Sequence, residues 1–129
     1  MEVETMIDFE NKKVLKLTAE KPEKGFNAVE DLLIEGETVI DSFVSVRDRL
    51  VFTDKRIISI NVQGVTGMKK DYTSIPYRKI QTFSVVTAGF LDLDAELSVY
   101  ISSIGMIRFQ LMGSKHIKLL CSAIAEHIL

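Results

Sequence analysis

The 129-residue chain has one cysteine, two prolines and no tryptophan. A single cysteine cannot form an internal disulfide, so the fold does not require an oxidising compartment. The apolar runs are far shorter than the roughly 20 residues that cross a bilayer. No basic segment followed by an apolar stretch opens the chain, as a secretory leader would. The sequence therefore predicts a soluble, cytoplasmic protein.

The chain also has no marked excess of positive or negative charge. The chain has 16 Lys and Arg against 18 Asp and Glu, a formal net charge of −2. Nucleic-acid-binding domains are usually strongly basic, so this balance argues against a nucleic-acid partner. Because 47% of the residues are hydrophobic, a chain of this length can bury one core. We expect one domain over residues 23–129, preceded by a charge-rich N-terminal extension, residues 1–22, in which residues 14–17 form a short strand or an extended arm.

Between residues 37 and 112, apolar and polar side chains alternate, which is typical of strands with one buried face. The clearest case is the segment 91–102 (LDLDAELSVYIS), in which every second residue is apolar. Short strands separated by polar or glycine-containing turns favour an antiparallel sandwich or barrel. Seven strands are predicted, in residues 38–46, 49–53, 56–62, 70–77, 80–87, 91–102 and 106–111.

Two helices are predicted around these strands. Asn27 as N-cap, with Glu30 three residues later, predicts a short helix over residues 27–35 that ends at Gly36. Ser114 is the predicted N-cap of a C-terminal helix, and such an apolar-striped helix can close one end of a partly open barrel. The stripe consists of Ile117, Leu120, Cys121, Ile124 and Ile128.

Several short segments resemble those of bacterial PH-like proteins. They are 51–58 (VFTDKRII), 63–67 (QGVTG), 74–80 (SIPYRKI), 83–89 (FSVVTAG) and 91–97 (LDLDAEL), and 6–12 (MIDFENK) resembles an N-terminal extension of one branch. Over roughly residues 31–129, the chain is thus similar to a family of small bacterial pleckstrin-homology (PH) domain-like proteins whose function is not established. The resemblance implies a mainly β fold: a seven-stranded, partly open antiparallel barrel, capped by the C-terminal helix and preceded by the short helix. It also implies assembly into homo-oligomeric rings.

PH domains are best known for binding phosphoinositides through Lys and Arg side chains that converge on the phosphates. The candidates for such anion or lipid contacts are Arg47, Arg49, Lys55, Arg56, Lys69 and Lys70. These residues are dispersed, aspartates stand among them, and the first hairpin loop is short. We therefore expect solvated turns here rather than a membrane-lipid site.

The remaining polar residues predict no catalytic, cofactor or metal site. Asp92, Asp94 and Glu96 project from one face of a strand about 6–7 Å apart, and we expect a solvated face rather than a cation site. His116 and His127 lie about 16 Å apart along the C-terminal helix, too far to share a metal. No nucleophile, base and orienting group can be assembled locally.

Two functions fit this pattern. The first is a non-enzymatic interaction or assembly module, since a partly open sheet leaves edge strands that can accept a strand from a second copy. Apolar residues stand side by side at 39–40, 57–58 and 85–86, which indicates more apolar surface than one core consumes and predicts a homo-oligomer. The alternative is a ligand-binding domain for a peptide or an anionic lipid headgroup.

Overall fold

A computed structural model describes residues 15–64, 68–87 and 94–129 of the chain. These ranges contain eight strands, two α-helices and the short 3₁₀ turns Glu30–Leu32 and Tyr77–Lys79. No helix within them has the length and apolar character needed to span a membrane. In chain order the elements are β1 (Leu15–Glu20), α1 (Pro22–Val29), β2 (Val39–Val44), β3 (Asp48–Thr53), β4 (Arg56–Gln63), β5 (Lys69–Pro76), β6 (Thr82–Thr87), β7 (Ala95–Ile101), β8 (Gly105–Met112) and α2 (Ile117–Ile128).

All eight strands belong to one curled sheet in the order β5-β4-β3-β2-β1-β8-β7-β6. Strands β2 to β8 are the seven predicted ones, and the mainly β, half-barrel architecture is confirmed. Strand β1 is an eighth strand, and it is antiparallel to β2 but parallel to β8. The expectation of a fully antiparallel sheet therefore fails at one pair, because the chain segment before α1 enters the middle of the sheet.

The two faces of the sheet bury separate cores. Because successive side chains of a strand point to opposite faces, Leu50 and Phe52 of β3 enter the main core, whereas Val51 enters a second one. The main core includes Ile124 of α2, and the second includes Val29 of α1. The two helices therefore cover opposite faces of the same sheet.

This arrangement accounts for apolar residues that are neighbours in the sequence. Ile57 is buried in the main core and Ile58 in the second, and neither is exposed to solvent. Val39 packs against the second core and Ile40 against the main core. These two pairs are not surplus apolar surface, so that part of the argument for self-association is wrong.

Helix α2 places its predicted apolar stripe against the main core, with Leu120 and Ile124 fully buried. The helix begins at Ile117 with His116 as its N-cap residue, so the prediction of Ser114 as N-cap is wrong. The Ser114 hydroxyl instead accepts the N–H of His116 at 2.9 Å and donates to a buried carboxylate of β2. The Ser114 hydroxyl therefore makes one local hydrogen bond and one across the fold, outside the helix that it was predicted to cap.

Helix α1 begins at Pro22 rather than at the predicted Asn27. Proline fits the first helical position because its fixed φ suits the helix and its missing N–H has no partner there. The helical segment ends at Leu32, before Gly36. Gly25 faces the sheet, where a Cβ atom would lie 2.5 Å from the Cβ of Ser42, so α1 can approach β2 this closely only with glycine here.

Candidate functional site

The six predicted anion contacts lie at different places on the sheet. Gln63 pairs with Lys69, and Arg56 pairs with Pro76 at the opposite end of the β4–β5 ladder. At about 3.3 Å per residue, the length of β4 separates these ends by about 23 Å. Lys69 and Lys70 are therefore far from Lys55 and Arg56, and the six side chains do not converge on one ligand.

Arg47 holds two neighbouring loops together. Its Nη2 donates to the carbonyl oxygens of Gly64 at 2.8 Å and Val62 at 3.1 Å, and its Nε donates to Val62 at 3.3 Å. The guanidinium thus joins the β2–β3 turn to the end of β4. Its Nε and Nη2 donors are therefore engaged by the backbone of the chain.

Arg49 links β3 to β1 across β2. Its Nε and Nη2 donate to the two carboxylate oxygens of Glu20 at 2.7 and 3.1 Å, and the Ser42 hydroxyl donates to the same carboxylate at 2.6 Å. Burial raises the pKa of Glu20, but the hydrogen bonds from Arg49 and Ser42 outweigh it, so this pKa lies below its usual range. Arg49 therefore helps to hold β1 in place beside β2 and β3.

Arg56 forms an ion pair with a buried carboxylate, a pairing that the sequence pattern did not predict. Its Nε and Nη2 donate to Glu37 at 2.9 and 3.0 Å, and Nη2 also donates to the carbonyl of Leu32 at 2.6 Å. The Thr53 hydroxyl donates to Glu37 at 2.6 Å, and the Glu37 side chain is fully buried. Burial raises the pKa of Glu37, but these donors outweigh it and hold the pKa below its usual range.

Lys55 borders a shallow pocket of about 340 Å³ beside this ion pair, together with Arg78 and His127. The His127 Nδ1 lies 2.8 Å from the carbonyl of Ala123, and since a carbonyl only accepts, Nδ1 carries the proton. Pro76 forms part of the wall. The charge of Arg56 is balanced by Glu37. The cationic side chains that the pocket can offer a ligand are therefore Lys55 and Arg78, beside the imidazole of His127.

A serine, a histidine and an aspartate meet at the start of α2. Asp41 and Ser114 are each 1% exposed, and the Ser114 hydroxyl donates to Oδ2 of Asp41. The Nδ1 of His116 lies 3.6 Å from the same oxygen. In a catalytic triad the histidine stands between serine and carboxylate and takes the serine proton. Here the serine donates directly to the carboxylate, so the hydroxyl is held in place rather than activated.

Cys121 and the carboxylate row give no further site. Burial raises the pKa of the Cys121 thiol, which favours its protonated form over the nucleophilic thiolate. Of the predicted row of three carboxylates, Asp92 lies outside the described residues. Among the described residues, no group of three or more His, Cys, Asp or Glu side chains could hold a metal ion.

The sheet has two edge strands of very different character. Strand β5 carries Lys69 and Lys70 at its start and Pro76 at its end. Strand β6, with the sequence TFSVVT, has no charged residue and no proline. Within the described part of the chain β6 pairs with β7 alone, and Val86 near its end is 62% exposed. Of the three apolar pairs, only 85–86 lies on a strand that has a single described neighbour.

The sequence pattern of the bacterial PH domain family matches residues 8–128. The chain belongs to this family. The PH domain is 55% identical over 71 residues to the uncharacterized protein YjqA of Bacillus subtilis strain 168, across 55% of this chain and 57% of that protein. It is 39% identical over 70 residues to the uncharacterized protein YozO of the same strain, across 54% of this chain and 60% of that protein. The matched part is thus less than two thirds of each relative.

Solved structures agree with this assignment. A DUF1696 family protein with a pleckstrin-homology domain from Shewanella loihica PV-4 has a TM-score of 0.68 and 32% identity, across 89% of this chain and 99% of that chain. A pleckstrin homology domain from Shewanella amazonensis SB2B has a TM-score of 0.55 and 37% identity, across 85% of this chain and 90% of that chain. The resemblance noted in the sequence is confirmed, and the open β6 edge belongs to a PH half-barrel.

Proposed function

We propose that this PH domain is a non-enzymatic module that assembles with further copies of itself through the open edge of β6. The contrast between the two sheet edges carries the proposal. Edge strands expose unpaired N–H and C=O groups, and monomeric proteins protect them with lysines, prolines or short length. The β5 edge has two lysines and a proline, whereas the six residues of β6 have neither.

The composition of β6 favours pairing with another strand. Four of its six residues, Thr82, Val85, Val86 and Thr87, are β-branched, and such residues have a high preference for strands. The exposed Val86 adds an apolar side chain at this edge, which a second strand would cover. Backbone hydrogen bonds would supply the pairing, and the side chains would add apolar contact.

A second copy of the chain is the occupant that fits best. A free peptide loses conformational entropy when it becomes ordered on an edge, whereas a second copy presents a strand already formed, which lowers this cost. Pairing of β6 with β6 closes a dimer. Pairing of β6 with a different surface of the next copy is head-to-tail and can close the ring expected from the sequence.

The non-enzymatic assignment rests on the site geometry. Ser114 donates its hydroxyl to Asp41, and Cys121 is protonated, so neither is an activated nucleophile. The alternative is an anionic lipid headgroup bound by all six basic residues. It has no support from the structure, because these residues lie at opposite ends of the sheet. The cytoplasmic location and the absence of a cofactor belong to this proposal as well.

The test is the mass in solution, measured by light scattering at micromolar concentration. We expect wild-type protein to show a multiple of the 14.5 kDa chain mass. Val86→Lys places a charge at the open edge, where Glu96 stands opposite and can pair with it, so the fold should be kept while the mass falls towards that of the monomer.

Tyr100→Lys is the matched control, because Tyr100 is 39% exposed and lies on β7 between Thr82 of β6 and Met106 of β8, so it has a paired strand on both sides. We expect this variant to keep the wild-type mass. A monomeric wild-type protein, or an unchanged mass for Val86→Lys, would contradict the proposal. A mass of two chains would assign the β6–β6 dimer, and a larger multiple the head-to-tail ring.

A further inference from the structure

Strands β1 and β8 form the one parallel pair among the described strands. Thr18 lies beside Met112 at the end of this pair, so both strands end at the same edge of the sheet. Helix α1 follows β1 after Lys21, and α2 follows β8 after the segment 113–116. The two strand-to-helix connections are therefore neighbours in space, although they are far apart in the sequence.

From this edge the two connections lead to helices on opposite faces of the sheet. Helix α1 packs on the face of the sheet that carries Val51, and α2 packs on the face that carries Leu50. Where neighbouring parallel strands are followed by helices on opposite faces, a crevice opens beyond the carboxyl ends of the strands, and ligands of open α/β sheets bind in such crevices. The β1–β8 pair has this topology inside a mainly antiparallel sheet.

A pocket of about 560 Å³ occupies this place. Its walls come from both connections, and most of its charged residues are basic. Lys21 and Lys115 are exposed, and neither has a side-chain hydrogen bond or ion pair to another described residue. Lys24 and His116 complete the basic set. Residues 94 positions apart in the chain thus contribute to one basic pocket.

The two carboxylates of the pocket already have partners. The oxygens of Glu20 accept hydrogen bonds from Arg49 and Ser42. Those of Asp41 accept the Ser42 N–H at 2.9 Å and the Ser114 hydroxyl. Lys24 lies near enough to Glu20 to lower its pKa, but the charge of that carboxylate is already balanced by Arg49. The ammonium groups of Lys21 and Lys115 therefore remain available for a ligand.

The start of α2 adds to the positive potential. The amino-terminal end of a helix carries a partial positive charge and free N–H groups. Neither α1 nor α2 has a side-chain hydrogen bond that caps its first turn. Both helix ends border the same pocket. Glu23 in the first turn of α1 offsets the field of that helix, whereas α2 has no acidic residue in its first turn, so the field of α2 adds to that of the lysines.

From the cavity, its unpartnered lysines and the topology of the β1–β8 pair, we infer that this pocket binds a phosphate-bearing anion. Lys21 and Lys115 bind the phosphate oxygens from the two sides of the crevice, and Lys24 and His116 add charge and a ring N–H donor at the rim. The site is separate from the β6 edge and does not depend on self-assembly.

The experiment is a titration of ¹⁵N-labelled protein with sodium pyrophosphate at neutral pH and constant ionic strength, followed by amide chemical shifts. We expect saturating shifts confined to the two connections around Lys21 and Lys115. Lys21→Gln together with Lys115→Gln should raise the dissociation constant at least about tenfold, because both charged contacts to the phosphate oxygens are lost.

The matched control is Lys16→Gln with Lys79→Gln, which removes the same charge from two exposed lysines outside the pocket. This variant should bind pyrophosphate as wild type does. Absence of saturation, shifts spread over the surface, or an equal loss of affinity in the control would each overturn the inference. Amide spectra of both variants show directly whether they are folded.

A second arm distinguishes the source of the phosphate. Vesicles of phosphatidylcholine with phosphatidylglycerol are sedimented with wild-type protein and with the Lys21/Lys115 variant. Co-sedimentation of wild type alone, in addition to pyrophosphate binding, identifies a lipid headgroup as the ligand. Pyrophosphate binding without co-sedimentation identifies a soluble phosphate compound. Failure of both arms excludes the site.

Discussion

The guanidinium of Arg56 joins three segments of the chain that are separate in sequence. It binds the carboxylate of Glu37, the carbonyl of Leu32 and the hydroxyl of Ser74, the last at 3.0 Å. Removal of one partner from a buried ion pair leaves the other charge without compensation, which is strongly destabilising. The sequence showed a basic turn here and indicated solvent or an anion, but the tertiary structure supplies an internal carboxylate.

At the residue scale we expect Glu37→Gln to lower the free energy of unfolding at pH 7 by roughly 2–4 kcal/mol, somewhat less than for a fully buried pair because Arg56 is partly exposed. The pKa of Glu37 is lower in the folded chain than its ordinary value of 4.5. Its stabilising effect is therefore complete above pH 4.5 and is lost as the pH falls through the folded-state pKa.

Urea denaturation from pH 7 down to pH 3 measures this effect. The difference between wild type and Glu37→Gln should shrink as the pH falls below 4.5. Glu35→Gln is the control, because Glu35 is exposed and precedes the same strand. A difference that stays constant with pH would show that the carboxylate charge is not the source of the stabilisation.

Helix α2 illustrates what a residue pattern can predict at the scale of an element. A helix with apolar residues every three or four positions has one stripe that must be buried, and this stripe follows from local geometry alone. The structure confirms the burial of Leu120 and Ile124. Its N-cap was predicted wrongly: His116 takes that position, and the Ser114 hydroxyl donates to Asp41, which lies 73 positions away in the sequence.

We expect Ile124→Ala to lower the free energy of unfolding by about 2–4 kcal/mol, since it leaves a cavity between α2 and the sheet. Leu119→Ala removes an apolar side chain of similar size from the same helix, but Leu119 is 57% exposed and should change stability by less than about 1 kcal/mol. Equal losses for the two variants in urea denaturation would mean that α2 does not close the core as described.

Strand β1 joins the two halves of the sheet. In the strand order, β5-β4-β3-β2 lie on one side of it and β8-β7-β6 on the other. Leu15 and Leu17 of β1 are buried in the main core. Without β1 the sheet would be two separate pieces, each with a new unpaired edge. The two parts of the half-barrel are therefore held together by β1, a strand of six residues that precedes α1.

Two chains that begin at Leu15 and at Lys21 differ only by β1. We expect the shorter chain to be less stable by at least about 3–6 kcal/mol, the effect of exposing or deleting two buried leucines, before the lost backbone hydrogen bonds are counted. Thermal unfolding followed by circular dichroism measures the difference. Equal stability of the two chains would support the predicted division into an extension, residues 1–22, and an independent domain, residues 23–129.

The amino-acid sequence by itself determined the seven strands β2 to β8, the C-terminal helix and the buried stripe of that helix, because each depends on neighbours within a few positions. The burial of α1 against a second face of the sheet, and of Ile57 and Ile58 in two different cores, was not visible in that pattern.

Only the tertiary structure decided the position of β1 between β2 and β8, the pairing of Arg56 with Glu37, and the meeting of Lys21 with Lys115. The physical reason is the distance along the chain. The alternation of apolar and polar residues along a strand is visible in the local sequence. Which strand lies beside it in the sheet depends on the packing of the complete core. Charged side chains, in turn, find partners only after that packing has brought distant segments together.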